Sequence, residues 1–117
     1  MSSTPLLQLV EGFLGVVSSR HKLITANLAN IDTPGYRTQD IDFRSQLQQA
    51  MNTDAGSATL TPVAHSVPGL LQRPDGNDVN LDRESLLLAE TQMQYQLGVQ
   101  VVRSEFHRLL AAINEGK

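Results

Sequence analysis

The sequence predicts a mainly α-helical protein in which two long terminal amphipathic helices form an antiparallel, coiled-coil-like pair. Three observations predict it. The first and last thirds of the 117 residues each carry apolar residues at alternating steps of three and four. The stretch between them loses that period and fills with Pro, Gly, Asp and Asn. At this length the simplest organisation is one structural unit. Its parts are an N-terminal helix and turn over 1–35, an irregular middle over 36–79, and a C-terminal helix over 80–117.

In the first helix Thr4 is placed to cap and Pro5 to open the first turn, where a missing N–H costs nothing. The seam then runs Leu7, Val10, Leu14, Val17, His21, Ile24, Leu28, Ile31, with Leu6 and Phe13 widening its start. Gly12, Gly15 and several β-branched residues make this a helix of modest intrinsic propensity. Its stability must therefore come from a partner surface. The C-terminal helix is expected over about Leu81 to Asn114, capped by Asn80 or Asp78, with Asp82 and Glu84 near its positive end and Gly116 as its stop. Its seam is Tyr95, Val99, Val102, Phe106, Leu109, Ile113, extended backwards by Leu88 and interrupted by Gln92 and Ser85.

The middle is expected to hold a short helix capped by Asp42, with Phe43, Leu47 and Met51 on one side, followed by a flexible NTDAGSA stretch. Pro62 and Pro68 confine any strand between them to an edge or an isolated hairpin. The turn Pro74-Asp75-Gly76-Asn77 is expected to join Leu70–Arg73 to Val79–Leu81 as a small β-hairpin. Two helices and so little else make a poor globule. The apolar residues left over (Leu86, Leu87, Leu97, Val101, Leu110) imply that further chains complete the packing.

Composition removes whole classes of function. A net charge of −3 and 4% aromatics provide neither a basic patch nor a stacking platform for nucleic acid. The chain has no cysteine, so disulfides, Cys-ligated zinc and thiol catalysis are excluded. The N-terminal stretch lacks the basic and long apolar regions of a secretory signal peptide. His21 falls on the helix seam, while His65 and His107 have no ligand-spaced companions, so no metal site is expected. Asp40 and Asp42 read as a cap and a solvated neighbour rather than a catalytic pair. No nucleophile elbow or phosphate loop occurs. No active site, cofactor or small-molecule substrate is expected. The Gln92, Gln94, Gln96, Gln100 run offers an uncharged polar face suited to meeting protein without burying charge.

The most specific stretch is ANLANIDTPGY, residues 26–36. Asn30 tolerates the left-handed conformation of helix C-caps. Thr33-Pro34-Gly35-Tyr36 fits a type II turn, and the residue before Pro34 is driven out of helical space. Local rules account for all of this except Asn27. The combination resembles the motif A-N-N-[IL]-A-N-x-x-T-P-G-[YF] that closes the first helix of bacterial flagellar rod and hook proteins. Ala26 stands where many members have Asn, and Ile31-Asp32 fill variable positions. RTQDIDF over 37–43 and NDVNLDRESLLLAETQMQYQ over 77–96 extend the resemblance toward the short proximal-rod members. It is weak over about 50–75.

That resemblance implies a structural subunit of the flagellar basal-body rod, a hollow drive shaft for motility. It implies a rod position within the periplasm, and export through the flagellar type III apparatus without a cleaved signal. Implied neighbours are other copies of itself, related rod proteins, and the MS ring with its rod adapter. On this chain the assembly helices would be Leu7 to Ile31 and Leu88 to Ile113. Thr33, Pro34, Gly35 and Tyr36 would fix the helix exit, and Asn27 and Asn30 would bond to neighbouring subunits. The alternative is a coiled-coil adapter or export-associated protein that binds one partner helix and never polymerises.

Overall fold

The computed structural model describes residues 5–52 and 62–115, the side chains of 50–52 excepted. Elements follow in the order α1 (Pro5–Ala29), β1 (Gln39–Ile41), α2 (Phe43–Asn52), β2 (Ala64–Ser66) and α3 (Leu81–Glu115). The expected Thr4 cap, the NTDAGSA stretch beyond Asn52, the Gly116 stop and the side chain of Met51 lie outside the described residues.

The 25-residue α1 and 35-residue α3 pack along each other and dominate a molecule measuring 69 × 26 × 18 Å. Its radius of gyration is 18.1 Å, against about 13 Å for a compact chain of this length. The described core is correspondingly thin and aliphatic: Val10, Val16, Val17, Ile24, Ile41 and Val79.

The α1 seam faces α3 much as its spacing predicts. Val10, Val17 and Ile24 are buried, while Leu7, Leu14, His21 and Leu28 are half-buried. A second face, including Val16 and Asn27, turns toward the middle segment. On α3 the line against α1 differs from the predicted one: it passes through Glu84, Thr91 and Gly98, the buried residues of that helix. The reason is steric. A Cβ on Gly98 would stand 2.5 Å from Leu14 Cδ2, so the missing side chain lets the helices close up there. Val99 is consequently displaced to a half-buried flank.

Antiparallel pairing sets Leu14 against Gly98 and Asn27 against Glu84. Continued, that register brings the start of α1 level with about His107. Beyond this level α3 extends past the described end of α1; Leu109, Leu110 and Ile113 there are exposed, as is Phe106 at its edge.

Asp42 caps α2 as expected, its Oδ1 accepting from the Ser45 N–H at 3.3 Å. Phe43 meets Phe13 of α1 edge-on, with centroids 6.0 Å apart, and lies under the Arg20 guanidinium. The β-structure is not where the turn chemistry suggested. The turn around Gly76 forms, with φ +89° and an Arg73 carbonyl to Gly76 N–H bond of 2.8 Å. Its arms, however, do not pair as strands. The small sheet instead joins β1 and β2 antiparallel, with Asp40 opposite His65. The side chains of Arg73 and Asn77 reach across to the end of α1, and the Asp78 backbone N–H donates to the Tyr36 carbonyl.

Candidate functional site

The most elaborated part of the molecule is a polar knuckle where the C-terminus of α1, the turn after it, β1 and the start of α3 converge. Among described residues more polar than apolar side chains are deeply buried, and nearly all of them lie here: Asn27, Thr38, Asp40, Asn77, Asp78 and Glu84. Buried polar groups are seldom left unbonded, and the bonding here is dense, the Thr38 hydroxyl being the exception in the knuckle.

Asn27 is fully buried. Its amide nitrogen donates to the Gln39 carbonyl at 2.9 Å and to Glu84 Oε1 at 2.7 Å. Its oxygen accepts the Tyr36 hydroxyl at 3.0 Å and the Gln39 N–H at 3.1 Å. Both donors and both acceptor positions of this side chain are therefore used within its own chain. Asn27 is thus bonded throughout within the single chain, whereas the resemblance implies bonds to neighbouring subunits.

Asn30 also turns inward. Its side-chain nitrogen donates to the Ala26 carbonyl at 2.8 Å, and its oxygen accepts the Thr33 hydroxyl at 3.0 Å. No described non-glycine residue has a positive φ, so Asn30 does not use the left-handed cap that its residue type allows. It ends the helix by satisfying a last-turn carbonyl with its own amide. The predicted turn follows: Gly35 has φ +75° and the Tyr36 N–H donates to the Thr33 carbonyl at 3.2 Å. Pro34 and Thr33 sit exposed on its outer side, and Ile31 is half-buried just beyond α1.

Two further groups complete the knuckle. Asn77, fully buried, donates to the carbonyls of Asn30 and Thr33 at 2.8 Å each. Arg73 bridges the Val79 and Ile31 carbonyls. The two tight turns pack back to back: the Gly35 N–H donates to the Asp75 carbonyl at 2.9 Å, and a Cβ on Gly76 would lie 3.2 Å from Gly35 Cα. Asp78 is not a helix cap; its Oδ1 accepts the Thr38 N–H at 2.6 Å. Asn80 takes the capping role, accepting from the Arg83 N–H at 2.9 Å.

Charge crosses the same region. Asp40 accepts a two-pronged contact from Arg20 of α1, both bonds 3.1 Å, and a third from Arg83 of α3 at 3.0 Å. Arg83 also pairs with Glu84, which returns the network to Asn27. Asp40 is thus a buried tie between both long helices, not the solvated neighbour its sequence context suggests. Burial pushes its carboxyl upward, but bonds from Arg20, the Ile41 N–H and Arg83, together with the Arg20 charge, hold it below the ordinary carboxylate range. Burial, then the charges of Glu84 and Asp78, push the Tyr36 hydroxyl above its usual value.

The C-terminal seam residues lie elsewhere. Val99 and Val102 are half-buried against the helix pair, whereas Tyr95, Phe106, Leu109 and Ile113 are 48–58% exposed. A cleft of about 530 Å³ opens between the helices, lined by Val17, Ser18, His21, Thr91, Gln92, Tyr95 and Gln96. It holds one histidine, the hydroxyls of Ser18, Thr91 and Tyr95, and no carboxylate among the lining residues. Among described residues no group of three His, Cys, Asp or Glu is placed to hold a metal, and no helix is long and apolar enough to cross a membrane.

The arrangement fits a structural protein, a braced helix pair whose buried polar groups bond within the chain and whose α3 carries exposed apolar residues. Comparison with known proteins gives the same class. The family described as "Flagella basal body rod protein" matches residues 18–37, the span holding Arg20, Asn27, Asn30 and the turn. The chain is 32% identical to the flagellar basal body rod protein FlgB of Salmonella typhimurium, over 94% of both chains. It is 33% identical to FlgB of Proteus mirabilis over 88% of this chain and 89% of that protein. To FlgB of Bacillus subtilis it is 29% identical, over 95% of both. The chain belongs to the flagellar basal body rod protein family, a structural rather than an enzyme family. Its place is the flagellar basal body, among other rod components.

Proposed function

We propose that this chain self-assembles through its terminal helices as part of the proximal section of the hollow rod that serves as a drive shaft for motility. The observation that carries this reading is the exposed apolar end of α3, where Phe106 stands level with the start of α1 and Leu109, Leu110 and Ile113 project beyond its described end. Large contiguous apolar surface on a small soluble chain marks a protein interface. Copies of the same chain and related rod proteins are its partners there, with the MS ring and its adapter at the base. The chain reaches this periplasmic position through the flagellar type III apparatus without a cleaved signal.

The experiment is site-specific photo-crosslinking from position 106 in intact flagellated cells. Adducts with further copies of the chain and with other rod proteins are expected. Adducts with a single non-rod partner would instead identify an adapter that does not polymerise.

A further inference from the structure

Resting on the self-assembly reading, we propose that the face of α3 turned away from α1 docks onto the free face of α1 in a second, identically oriented copy. The two faces differ in shape. On α3, Leu86, Met93 and Leu97 are 69%, 71% and 62% exposed and project as large apolar knobs along one stripe. On α1 the exposed line Gly15, Ser18, Lys22, Thr25 is small or slender, and a Cβ built on Gly15 would meet nothing within 4 Å. Knobs on one surface and a shallow channel on the other are complementary.

Charge and spacing agree with this pairing. Over the paired stretches, 15–25 on α1 and 86–97 on α3, each of these lines carries one charge, Lys22 on α1 and Glu90 on α3. Both are exposed, and neither side-chain charge has a partner among the described residues. From Leu97 to Glu90 is seven residues, and so is Gly15 to Lys22. With Leu97 seated over Gly15, an antiparallel pairing brings Glu90 level with Lys22 and Leu86 near Thr25. Antiparallel is the direction required. Within a chain α1 and α3 run oppositely, so in identically oriented copies the α3 of one opposes the α1 of the next. The register is also the internal one, since Leu14 already meets Gly98 and Asn27 meets Glu84. Each copy offers both halves of the contact, and such a head-to-tail interface continues into a ring or helix rather than closing as a dimer.

The chain has no cysteine, so a crosslink can be placed freely. Full-length protein carrying Gly15→Cys and Leu97→Cys together is oxidised under conditions where sedimentation shows association. Within one chain these positions lie on faces turned apart, so the expected product is a ladder of dimers, trimers and larger species. Either single variant alone stops at the dimer. Lys22→Glu and Glu90→Lys should each weaken association about fivefold, and the two together should restore most of it. Association without a ladder, or additive losses in the charge-swapped pair, overturns this face pairing while leaving self-assembly standing. Failure of the unmodified chain to associate at any concentration overturns the self-assembly reading and this proposal with it.

Discussion

The knuckle and the far end of α3 invert the usual rule of burial. At the knuckle, Asn27, Asn77 and Glu84 are sealed from solvent and fully bonded. At the far end, Phe106 and Ile113 are 58% and 57% exposed. The contrast shows where each residue's partners lie. A buried polar network stabilises little beyond what its desolvation costs, but it tolerates only one geometry, since any missing partner leaves an orphaned group. It therefore suits a joint that must hold the two helices at a fixed register. Exposed apolar side chains stabilise nothing in the single chain and are free for association. The knuckle shapes the subunit, and on the proposed reading the free faces join it to others.

Breaking the knuckle should give the largest effect. Asp40→Ala leaves Arg20 and Arg83 partly buried without their shared counter-charge, and should destabilise the chain by about 3–5 kcal/mol in urea titration. Overpacking the helix contact comes next. Gly98→Leu forces a side chain into Leu14 and should cost about 1–3 kcal/mol, part of it recovered by Leu14→Ala in the same chain.

The acid response is smaller and has a definite sign. Asp40 titrates below its ordinary value in the folded chain, so its stabilisation is fully present above the unfolded carboxyl value of about 4 and is lost as pH falls through the folded one. Thermal melts below about pH 4 should show this loss, and Asp40→Asn, though less stable at neutral pH, should show a shallower acid limb. The smallest effect on the single chain belongs to the free end. Ile113→Ser should change dilute-chain stability by less than about 0.5 kcal/mol while lowering association measured by sedimentation.

Much of the architecture was legible because it rests on period and local turn chemistry. The α1 seam, the Asp42 cap, the start of α3 and the Thr33–Tyr36 turn all follow from residues close in sequence. What the sequence concealed depends on contacts between distant segments. The displacement of the α3 seam onto Thr91 and Gly98 follows from how closely Leu14 approaches a glycine, and a scan for apolar residues passes over a glycine. The strand pairing eluded the turn signal because the turn closes with a single Arg73 N–H to Asn77 carbonyl bond, after which Asn77 and Asp78 bond across to Asn30, Thr33, Tyr36 and Thr38. Asp40 resembled a solvated carboxylate because its two arginines stand 20 and 43 residues away.

Asn27 is the most instructive case. Its unexplained position within a specific motif drew attention correctly, but suggested an outward role. An Asn beside an apolar seam, with a Tyr nine residues later and a Glu in the opposite helix, is equally what an internal hub requires. Only the folded chain distinguishes the two.

Asn27→Ala therefore tests the central claim most directly, by urea unfolding of the protein diluted until it sediments as a monomer. The substitution removes four bonds and leaves buried partners unsatisfied, so a loss of about 3 kcal/mol is expected in the isolated chain. Unchanged monomer stability accompanied by impaired assembly would contradict the account and return Asn27 to the interface between subunits.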